Sequence, residues 1–586
     1  MSPRRAARVL VALVLLVGLT GCISLPRSGP IRTAVSRGDV DRDPSFDLTP
    51  GGPRKGASPA NIVDGFLAAM EATPLNTFVA REFLSSDSAN AWVPERGTIV
   101  YDGHELRSRG STVTATFSDI DELDARGRWL GDPSHGAGIS ERFHLVLDKG
   151  EWRISHPPDA MLVSQAHFES EFSQFSLYFF DPSAQVLVPE PVYLPRGAQA
   201  STRLVSGLLL GPESPLSRVE RTFIPSETAL GDISVPVSRD GVADVALSDD
   251  VLDLNDDQLN LMFAQLAWTL KQVPGIDRMR VTVDGNPLDL PGEPVDVDVE
   301  GWTEFDPGVP WASQALFGLR SGRVISFLDN SERRVTGAFG AAGVGLRSIG
   351  VDLSAQTVAG VTSNGRSVVV APRDKVTTTS VLMHTAYSRG TDLLRPSYDL
   401  YGNLWDIDET AAGARVLTGR RTLQTLTVPG VTGHRVLSYA LSRDGSRLVA
   451  AVAGTGGDRL VLVRIEHTAT GHPIGAVTAT PISLGGPGLT VEDVAWRTPT
   501  SLAVLATGTG GSQLIVVKID GSSVLGSFGV GGDRLPFGAR ALVASPLAST
   551  PLYVETSAGQ LLSLSASGRW TGTAVRNGLR AVTYVG

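Results

Sequence analysis

The stretch Leu346-Arg347-Ser348-Ile349-Gly350-Val351-Asp352-Leu353 opens a pattern that fills the second half of the chain. Related stretches begin at Leu394, Val436, Val491, Arg540 and Leu579, at intervals of 48, 42, 55, 49 and 39 residues. Several of them run into a glycine-containing turn and a second strand-like segment. Repeats of about 40–50 residues with about four strands each are typical of a β-propeller. We therefore predict an all-β propeller over residues 310–586.

The last of these repeats is incomplete, because only seven residues follow Leu579. Two strand-like segments at the start of the region, residues 315–319 and 323–328, belong to no repeat of their own. If residues 579–585 pair with them, the two ends of the region complete one blade and no sheet edge stays open. The sequence thus predicts six blades, the sixth closed by the C-terminal strand.

Residues 175–300 read as an α+β domain that precedes the propeller. A hairpin is predicted around Asp181-Pro182, and short strands are predicted over residues 242–247 and 280–283. The longest helical pattern covers residues 256–272, where apolar residues recur at helical spacing. We expect the buried stripe of this helix to consist of Leu259, Met262, Leu266 and Leu270.

A second α+β domain is predicted over residues 58–174. Ser58 can cap a helix that begins with Pro59, and the apolar residues that follow share one helical face. Strand-like segments follow around residues 98–101, 112–117, 142–147 and 151–154. Helices followed by antiparallel strands are typical of an α+β domain. This order resembles the cone-shaped fold of nuclear transport factor 2-like proteins.

The N-terminus carries a secretory signal over residues 1–21, with three arginines before an apolar run of about ten residues. The run ends in Leu19-Thr20-Gly21-Cys22, and Cys22 is the only cysteine of the chain. This tetrapeptide matches the bacterial lipobox, which implies that Cys22 becomes an N-palmitoyl, S-diacylglycerol cysteine. Residues 22–57, rich in Ser, Pro, Gly and charged residues, then form a lipidated tether. The alternative, an uncleaved anchor, also places the rest of the chain outside the cytoplasmic membrane.

The charge of the chain excludes some partners. The formal net charge is −10, and removal of the three arginines in residues 1–21 makes it −13. Such a chain is not drawn to nucleic acid or to an anionic membrane surface by its overall field. Membrane attachment is therefore expected to depend on the lipid of Cys22. A single cysteine also leaves no disulfide within the chain.

Candidate metal sites are weak. His467 and His472 are the closest pair of histidines, and we interpret them as solvated loop residues rather than ligands. Asp296, Asp298 and Glu300 alternate and could share one face of a strand, where they would hold a cation, or they could line a solvated edge or the linker between domains. The acidic cluster before the long helix, which we interpret as helix capping, comprises Asp249, Asp250, Asp253, Asp256 and Asp257. We predict no metal site and no cofactor.

No catalytic motif is present either. The glycine-rich segments at residues 454–457 and 508–511 lie between strand-like runs without a following helix, so they are interpreted as hairpins and not as phosphate loops. Trp268 is predicted to be either core or partner-facing. A group of aromatic residues is interpreted as a seam between the first two domains rather than a ligand groove: Phe172, Phe175, Tyr178, Phe179 and Phe180. We name no catalytic residue and predict that the protein is not an enzyme.

The domain over residues 175–300 resembles the GerMN domain, a module of cell-envelope and spore proteins. The resemblance is carried by five segments, which are Leu187-Val188-Pro189-Glu190, Leu208-Leu209-Leu210-Gly211-Pro212, Thr222-Phe223-Ile224-Pro225, Ala264-Gln265-Leu266-Ala267-Trp268-Thr269-Leu270 and Val283-Asp284-Gly285. The full order of lipobox, α+β domain, GerMN domain and six-repeat propeller is similar to the LpqB family of actinobacterial lipoproteins.

That resemblance implies a lipid-anchored protein on the extracytoplasmic face of the cell membrane. It implies that the partner is the extracellular domain of the sensor kinase MtrB, and that the protein modulates the MtrA–MtrB two-component system, with effects on the envelope and on division. The alternatives are a protein that binds cell-wall glycan or peptide, and an envelope hydrolase with its site in the propeller mouth. Fold alone does not decide between them.

Overall fold

The computed structural model describes residues 50–586, apart from residues 74–75, 135, 198, 329–330, 375–382, 485–487, 523–532, 548, 566 and 576–577. The predicted signal sequence, Cys22 and most of the predicted tether therefore lie outside the described residues. No helix within the described part of the chain is long and apolar enough to cross a membrane.

The N-terminal domain begins with three short helices, α1 Pro59–Ala69, α2 Phe78–Glu82 and α3 Ser86–Ala91. The side chain of Ser58 accepts a hydrogen bond from the backbone N–H of Asn61 at 3.3 Å, and Pro59 opens α1, as the sequence predicts. Ile62, Val63 and Phe66 lie on the buried face of α1. This face covers a six-stranded sheet.

The strands of that sheet are β1 Gly97–Arg109, β2 Thr112–Asp124, β3 Trp129–Gly131, β4 Ile139–Asp148, β5 Glu151–Ile154 and β6 Met161–Ser164. Their order is β5-β4-β2-β1-β6, with β3 on β2, and β6 runs parallel to β1. The four predicted strands, which correspond to β1, β2, β4 and β5, pair antiparallel as expected, and β6, which was not predicted, adds a parallel edge strand. Strand β1 is longer than predicted. Its second half was missed because it is mostly exposed and polar, and so shows no apolar alternation. A short helix, α4 Gln165–Glu171, follows β6.

The domain that resembles GerMN (the GerMN domain) is built on a hairpin and one long helix. Its elements are β7 Phe172–Phe180, β8 Leu187–Pro195, α5 Ala200–Leu209, β9 Val242–Leu247, α6 Asp256–Leu270, β10 Arg278–Val283, β11 Asn286–Pro287 and β12 Val297–Asp298. Phe180 pairs with Leu187 across the predicted turn, which confirms the hairpin. Strand β9 runs parallel to β10, so α6 forms the crossover between them.

The apolar stripe of α6 is confirmed. Met262, Leu266 and Leu270 are fully buried and Leu259 nearly so, in one core with both sheets of the domain. The aromatic seam is confirmed as well, because β7 contributes to two cores. Phe172 packs in the core of the N-terminal domain, whereas Phe175 and Phe179 pack in the GerMN core.

The described residues from 316 to 583 form six four-stranded sheets, which confirms the six-bladed propeller. Blade 1 consists of β16 Leu346–Val351, β17 Thr357–Thr362, β18 Val368–Pro372 and β19 His384–Tyr387, and blade 2 of β20 Ser397–Tyr398, β21 Leu404–Thr410, β22 Gly413–Gly419 and β23 Gln424–Leu426. Blade 3 consists of β24 Val436–Leu441, β25 Arg447–Val452, β26 Arg459–His467 and β27 Pro473–Ile482, and blade 4 of β28 Thr490–Thr498, β29 Ser501–Gly508, β30 Gly511–Lys518 and β31 Asp533–Arg534. Blade 5 consists of β32 Ala539–Val543, β33 Tyr553–Thr556, β34 Leu561–Leu564 and β35 Trp570–Gly572. A helical turn, α7 Ala338–Ala341, precedes blade 1.

The sixth blade joins both ends of the propeller. It contains β13 Leu316–Arg320, β14 Arg323–Leu328, β15 Ser331–Arg334 and the C-terminal strand β36 Arg580–Thr583. Strand β36 pairs with β13, through Phe317 with Thr583 and Leu319 with Arg580. The predicted closure of the ring by the chain end is therefore confirmed.

The GerMN domain packs on one face of the propeller. The inner strands of the blades run in the same direction, so the loops that follow them gather at one face. Tyr401, in such a loop, donates a hydrogen bond to Asp181 at 2.5 Å, and Lys518 donates one to Gln174 at 2.5 Å. We call this side the packed face, and the side where the inner strands begin the open face.

A buried ionic network fastens the GerMN domain to the packed face. The carboxylate of Glu190, from the Leu-Val-Pro-Glu segment, accepts a hydrogen bond from Arg447 at 2.9 Å. It also accepts one from each terminal nitrogen of Arg464, at 2.5 and 2.8 Å. Arg447 also meets Asp444 at 3.2 Å, and Arg464 meets Glu220 at 3.4 Å. All five side chains are at most 10% exposed. The network thus has two cations and three carboxyl groups.

Candidate functional site at the open face of the propeller

A repeated backbone irregularity marks the open face. In blades 1, 3, 4 and 5 the pairing of the inner strand with its neighbour shifts by one residue near its start. The residues left unpaired by these β-bulges are Arg347, Leu437, Glu492 and Arg540. Bulges re-aim a side chain and are common next to functional sites. The same repeat position therefore presents a side chain to the channel mouth in each of these blades.

Arginine dominates the mouth. A cavity of about 370 Å³ opens there, and its charged lining comprises Arg347, Arg395, Arg540, Arg580, Glu492, Asp493 and Glu555. The side chains of Arg347, Arg395 and Arg540 are 36%, 30% and 40% exposed, and Arg580 is exposed too. We call these four residues the arginine mouth.

The carboxylates of the cavity lie deeper than the arginines. Asp493 is 6% exposed and Glu555 is 3% exposed, whereas Glu492 reaches the surface. Glu555 pairs with Arg540, and Asp493 lies 3.5 Å from Arg395. The partners of Arg540 and Arg395 are therefore buried behind their guanidinium groups, whereas Asp392, the partner of Arg347, is 60% exposed.

Asp493 also fixes the shape of the mouth. Its carboxylate accepts hydrogen bonds from the Ser438 hydroxyl at 2.7 Å and from the backbone N–H groups of Val494 and Leu542, at 3.0 and 2.9 Å. These donors belong to blades 3, 4 and 5. Because one carboxylate accepts hydrogen bonds from three blades, it fixes the distances between them. The guanidinium groups that line the same cavity are therefore pre-organised.

The guanidinium groups of the mouth are suited to anion recognition. Planar guanidinium groups recognise carboxylate and phosphate groups through paired hydrogen bonds. None of the described residues that line the mouth is a histidine or a cysteine. In the described part of the chain, no group of three or more His, Cys, Asp or Glu residues could hold a metal ion. The mouth thus offers donors that suit the recognition of anions.

The interpretation of His467 as a solvated loop residue is wrong. His467 ends strand β26, its side chain is 2% exposed, and its ring lies 5.0 Å from the ring of Tyr401. Its Nε2 lies 3.9 Å from Asp399. The polar, glycine-rich sequence around it hid this burial, which comes from the packed loops of blades 2 and 3. His472 is exposed, as predicted.

The alternating carboxylates do not share a strand face. Only residues Val297–Asp298 form a strand there, so the alternation is not realised as a ladder. Asp296 instead pairs with Arg280 at 2.6 Å, and Asp298 accepts a hydrogen bond from the backbone N–H of Glu300 at 2.8 Å. The exposed positions of Asp298 and Glu300 agree with a solvated edge or a linker, and the shared strand face on which the cation interpretation rested is not formed.

The acidic residues before α6 lie in a turn and at the N-terminus of the helix. Asp249–Asp253 forms a 3₁₀ turn, and Asn255 caps α6 through a reciprocal bond with Gln258, with Asp256 and Asp257 in the first turn. This confirms the capping interpretation and adds Asn255 as the cap itself. The glycine-rich segments are hairpin turns, as predicted, because they link β25 to β26 and β29 to β30.

Trp268 belongs to the core. It is 5% exposed, its indole N–H donates to the carbonyl of Trp302 at 3.1 Å, and Tyr178 packs against it with ring centroids 5.3 Å apart. The ammonium group of Lys271 lies 2.9 Å from the centre of its ring. The partner-facing alternative for Trp268 is therefore wrong.

Sequence reasoning missed the arginine mouth. The signal was available in the repeat alignment, where Arg347, Arg395, Arg540 and Arg580 each stand at or beside the second position of their repeat. That position is not always an arginine: it is Leu437 in blade 3 and Glu492 in blade 4. No single repeat therefore marked it as functional. The bulges that turn it towards the channel are a property of the folded sheets.

Comparisons with known proteins cover nearly the whole chain. The model described as "Lipoprotein LpqB, N-terminal domain" matches residues 52–169, "Sporulation and spore germination" matches 176–289, and "Lipoprotein LpqB beta-propeller domain" matches 322–574. Lipoprotein LpqB of Cutibacterium acnes is 28% identical over 589 residues, which covers 97% of each chain. Lipoprotein LpqB of Thermobifida fusca is 28% identical and covers 88% of this chain and 90% of that relative. Among solved structures, the first GerMN domain of the sporulation protein GerM from Bacillus subtilis is 20% identical, with a TM-score of 0.18, and matches 22% of this chain and 97% of that one.

Proposed function

The chain belongs to the LpqB family of lipoproteins, and from that premise we propose that it is an extracytoplasmic binding protein, anchored by the lipid of Cys22, that docks on the extracellular domain of the sensor kinase MtrB. Docking uses the arginine mouth and modulates the two-component system to which the kinase belongs. The relatives carry the name of a lipoprotein and not of an enzyme, which agrees with a binding role.

One observation carries the choice of surface. The packed face of the propeller is occupied by the GerMN domain, through contacts such as Glu190 with Arg464, whereas the arginine mouth on the opposite face is exposed. Arginine is enriched among the residues that dominate binding energy at interfaces. Guanidinium groups also select acidic partners and accelerate their approach. The open face is therefore the surface from which this protein reaches a partner.

Attachment to the membrane supports the same proposal. A lipid on Cys22 and a tether over residues 22–57 keep the propeller within a short distance of the membrane surface. Confinement of this kind raises the effective concentration of a binding module beside a membrane-bound partner to about the millimolar range for short linkers. Even a weak contact at the mouth is then sufficient for occupancy.

Substitution of the mouth should weaken kinase binding. In the variant R347Q/R580Q, two exposed guanidinium groups are lost without a buried charge left behind, because the partner of Arg347, Asp392, is itself 60% exposed. We expect the dissociation constant for the purified extracellular domain of MtrB to rise about tenfold or more, measured by calorimetry. The matched control is R421Q/R569Q, which removes the same charge from exposed arginines in loops after the third strand of blades 2 and 5.

Two outcomes would contradict this reasoning in different ways. If the unaltered protein does not bind the kinase domain, the proposed partner is wrong. If it binds, and R347Q/R580Q binds equally well, the partner stands and the docking surface is wrong.

The lipid anchor has its own test. Replacement of Cys22 by serine should abolish acylation, because the lipobox thiol is the acceptor, and should release the protein from the membrane fraction. Mass spectrometry of the N-terminal peptide measures the lipid, and Ser24→Ala, two residues away, serves as the control that keeps it. A C22S protein that is still acylated and still sediments with membranes would show that the lipobox interpretation is wrong.

A further inference from the structure

The sheet of the N-terminal domain has one covered face and one exposed face. On the covered face, Val113 and Phe117 of β2 are fully buried in the core beneath the helices. Successive residues of a strand point to opposite faces. Thr112, Thr114 and Thr116, which alternate with the buried residues, therefore lie on the exposed face, which we call the outer face.

Arginines stand on both sides of these threonines. Thr114 lies between Arg107 of β1 and Arg142 of β4, because it pairs with both. Thr112 pairs with Arg109 of β1 in the same way. Residues that pair directly across neighbouring strands share one face of the sheet. The three arginines therefore lie together on the outer face.

A fourth arginine extends this group onto β5. His144 lies on the outer face, since it pairs with Thr112 and its Nδ1 is 3.4 Å from the threonine Oγ1. Val146 is two residues further along β4, and its partner on β5 is Arg153. We call the four arginines of the outer face the basic face, and they are Arg107, Arg109, Arg142 and Arg153.

The guanidinium groups of the basic face are largely free to meet a partner. Arg109 and Arg142 are exposed, and within the described part of the chain neither forms an ion pair. The side chain of Arg107 is 83% exposed, and its contact with Glu105 at 3.4 Å joins it to a carboxylate that is itself 75% exposed. An exposed pair of this kind contributes little and exchanges readily for another anion.

Further cations lie at the β5 edge of the outer face. The backbone N–H of Gly56 donates a hydrogen bond to Glu151 at 2.8 Å, which brings the exposed Arg54 and Lys55 beside β5. Lys149 lies in the turn between β4 and β5. The cations of the basic face and its edge thus outnumber the carboxylates among them, which are Glu105, Asp148 and Glu151.

The contact of Gly56 also shows where the chain arrives from the predicted lipid anchor. The described chain begins at residue 50 and reaches β5 six residues later, so the predicted tether joins the N-terminal domain at the edge of the basic face. This domain is also the first to follow Cys22 along the chain. The position of the anchor and the position of the positive charge therefore coincide.

We propose that the basic face docks on the phosphate headgroups of an anionic lipid bilayer and so orients the anchored protein. Guanidinium groups bind phosphate oxygens through paired hydrogen bonds. The hydroxyl groups of Thr112, Thr114 and Thr116 lie between the arginines and can donate to the same headgroups. Docking on lipid goes beyond the proposed kinase binding and does not depend on it, because the arginine mouth belongs to another domain.

The net negative charge of the chain does not oppose this contact. At physiological ionic strength, charges are screened beyond about 8 Å, so a bilayer that touches the basic face is influenced mainly by the groups nearest to it. Basic clusters beside a membrane anchor add to the attraction for anionic lipid. The lipid of Cys22 still supplies the attachment, and the basic face selects the side of the domain that meets the membrane.

The experiment measures how the chain without residues 1–21, with Cys22→Ser so that no lipid or free thiol is present, sediments with vesicles. One set of vesicles consists of phosphatidylcholine, and the other contains one third phosphatidylglycerol. The variant R109Q/R142Q removes two guanidinium groups that form no ion pair within the described residues, so folding should be unaffected. The matched control is R421Q/R569Q, which removes the same charge from the propeller.

We expect the protein to bind the vesicles with phosphatidylglycerol and not those of phosphatidylcholine alone, with binding that weakens as salt is added. R109Q/R142Q should weaken the binding about tenfold, and R421Q/R569Q should leave it unchanged. The melting temperature of each variant verifies that it is folded. Binding of R109Q/R142Q to the extracellular domain of MtrB should equal that of the unaltered protein.

The proposal is overturned if the protein binds neither set of vesicles at low salt, or if R109Q/R142Q binds as well as the unaltered protein. Equal loss in R421Q/R569Q would show that net charge, and not this face, determines the binding. Loss in R347Q/R580Q alone would assign lipid binding to the arginine mouth. If R109Q/R142Q keeps vesicle binding and loses the kinase domain, the basic face serves a protein partner, which equally contradicts docking on lipid.

Discussion

Replacing Glu190 by glutamine is expected to lower the free energy of unfolding by about 3–5 kcal/mol and to loosen the GerMN domain from the propeller. Glu190 alone meets both Arg447 and Arg464, which are 0% and 10% exposed. A neutral amide at this position leaves two buried guanidinium groups with far less negative charge. Breaking a buried ion pair on one side is costly for that reason, even where the intact pair contributes little net stability.

The charges of the network show why Glu190 and not Glu220 is the critical carboxylate. Burial alone would raise the pKa of Glu190, but Arg464 and Arg447 outweigh it and lower the pKa to about 2. Burial and the neighbouring Glu190 charge instead raise the pKa of Glu220 well above its usual value. Two cations are thus balanced by the carboxylates of Glu190 and Asp444, while the raised pKa of Glu220 favours the neutral form of that acid.

Glu220→Gln is therefore the matched control. It makes the same Glu-to-Gln change in the same network, yet glutamine resembles the neutral form of the acid that the raised pKa of Glu220 favours. Because the folded-state pKa of Glu220 is raised, its contribution to stability is present at low pH and is lost as the pH rises through that pKa. We expect E220Q to be close to neutral at low pH and to become more stable than the unaltered protein as the pH increases.

The contribution of Glu190 to stability depends on pH in the opposite direction. Its folded-state pKa of about 2 lies below the ordinary 4.5, so its contribution is present above pH 4.5 and is lost as the pH falls towards 2. The difference between E190Q and the unaltered protein should then shrink on acidification. Denaturant unfolding at several pH values measures both variants, and hydrogen exchange at residues 187–195 reports the loosening of the domain. Equal stability of E190Q and E220Q at neutral pH would contradict this account of the network.

The contrast between what the sequence predicted and what it missed follows from the range of the interactions. Hydrophobic spacing and repeat length are local or periodic, so they predicted the stripe of α6 and the six blades. The ionic network joins Glu190 to Arg447 and Arg464, which are 257 and 274 residues away, and no local pattern marks either arginine as buried. The burial of His467 was missed for the same reason, since distant loops cover it.

The arginine mouth lies between these extremes. Its residues occupy equivalent or adjacent places in the repeats, so periodicity contained part of the information. Which side chains reach the channel mouth depends on the bulges at Arg347 and Arg540, which form only in the folded sheets. A site that forms only when a ring closes cannot be identified from any one of its repeats.

Closure of the ring leads to the second large effect. Deletion of residues 579–586 is expected to unfold the whole propeller cooperatively and to promote aggregation. Four side chains of this segment, Leu579, Val582, Tyr584 and Val585, are each at most 4% exposed. A buried apolar side chain contributes about 1.5–3 kcal/mol, so their joint loss approaches the net stability of about 5–15 kcal/mol of an entire domain.

The damage extends beyond lost contacts because the segment serves two blades. Leu579, Val582 and Tyr584 pack in the core between blades 5 and 6, and Val585 packs with blade 1. Without β36, strand β13 exposes an unpaired edge that can recruit another chain. The deleted protein should therefore show both a lower melting temperature and concentration-dependent association.

Calorimetry and light scattering of the full chain and of the chain ending at Gly578 test this expectation. Arg580→Ala is the control, because Arg580 is exposed on the same strand and its loss leaves the β36 pairing and the buried side chains in place. Leu579→Ala should fall between the two, at about 2–5 kcal/mol, the usual cost of truncating a buried leucine. A truncated protein that melts at the same temperature and stays monomeric would mean that β13 closes the ring without β36, and the C-terminal strand would then be an accessory to a propeller that is complete without it.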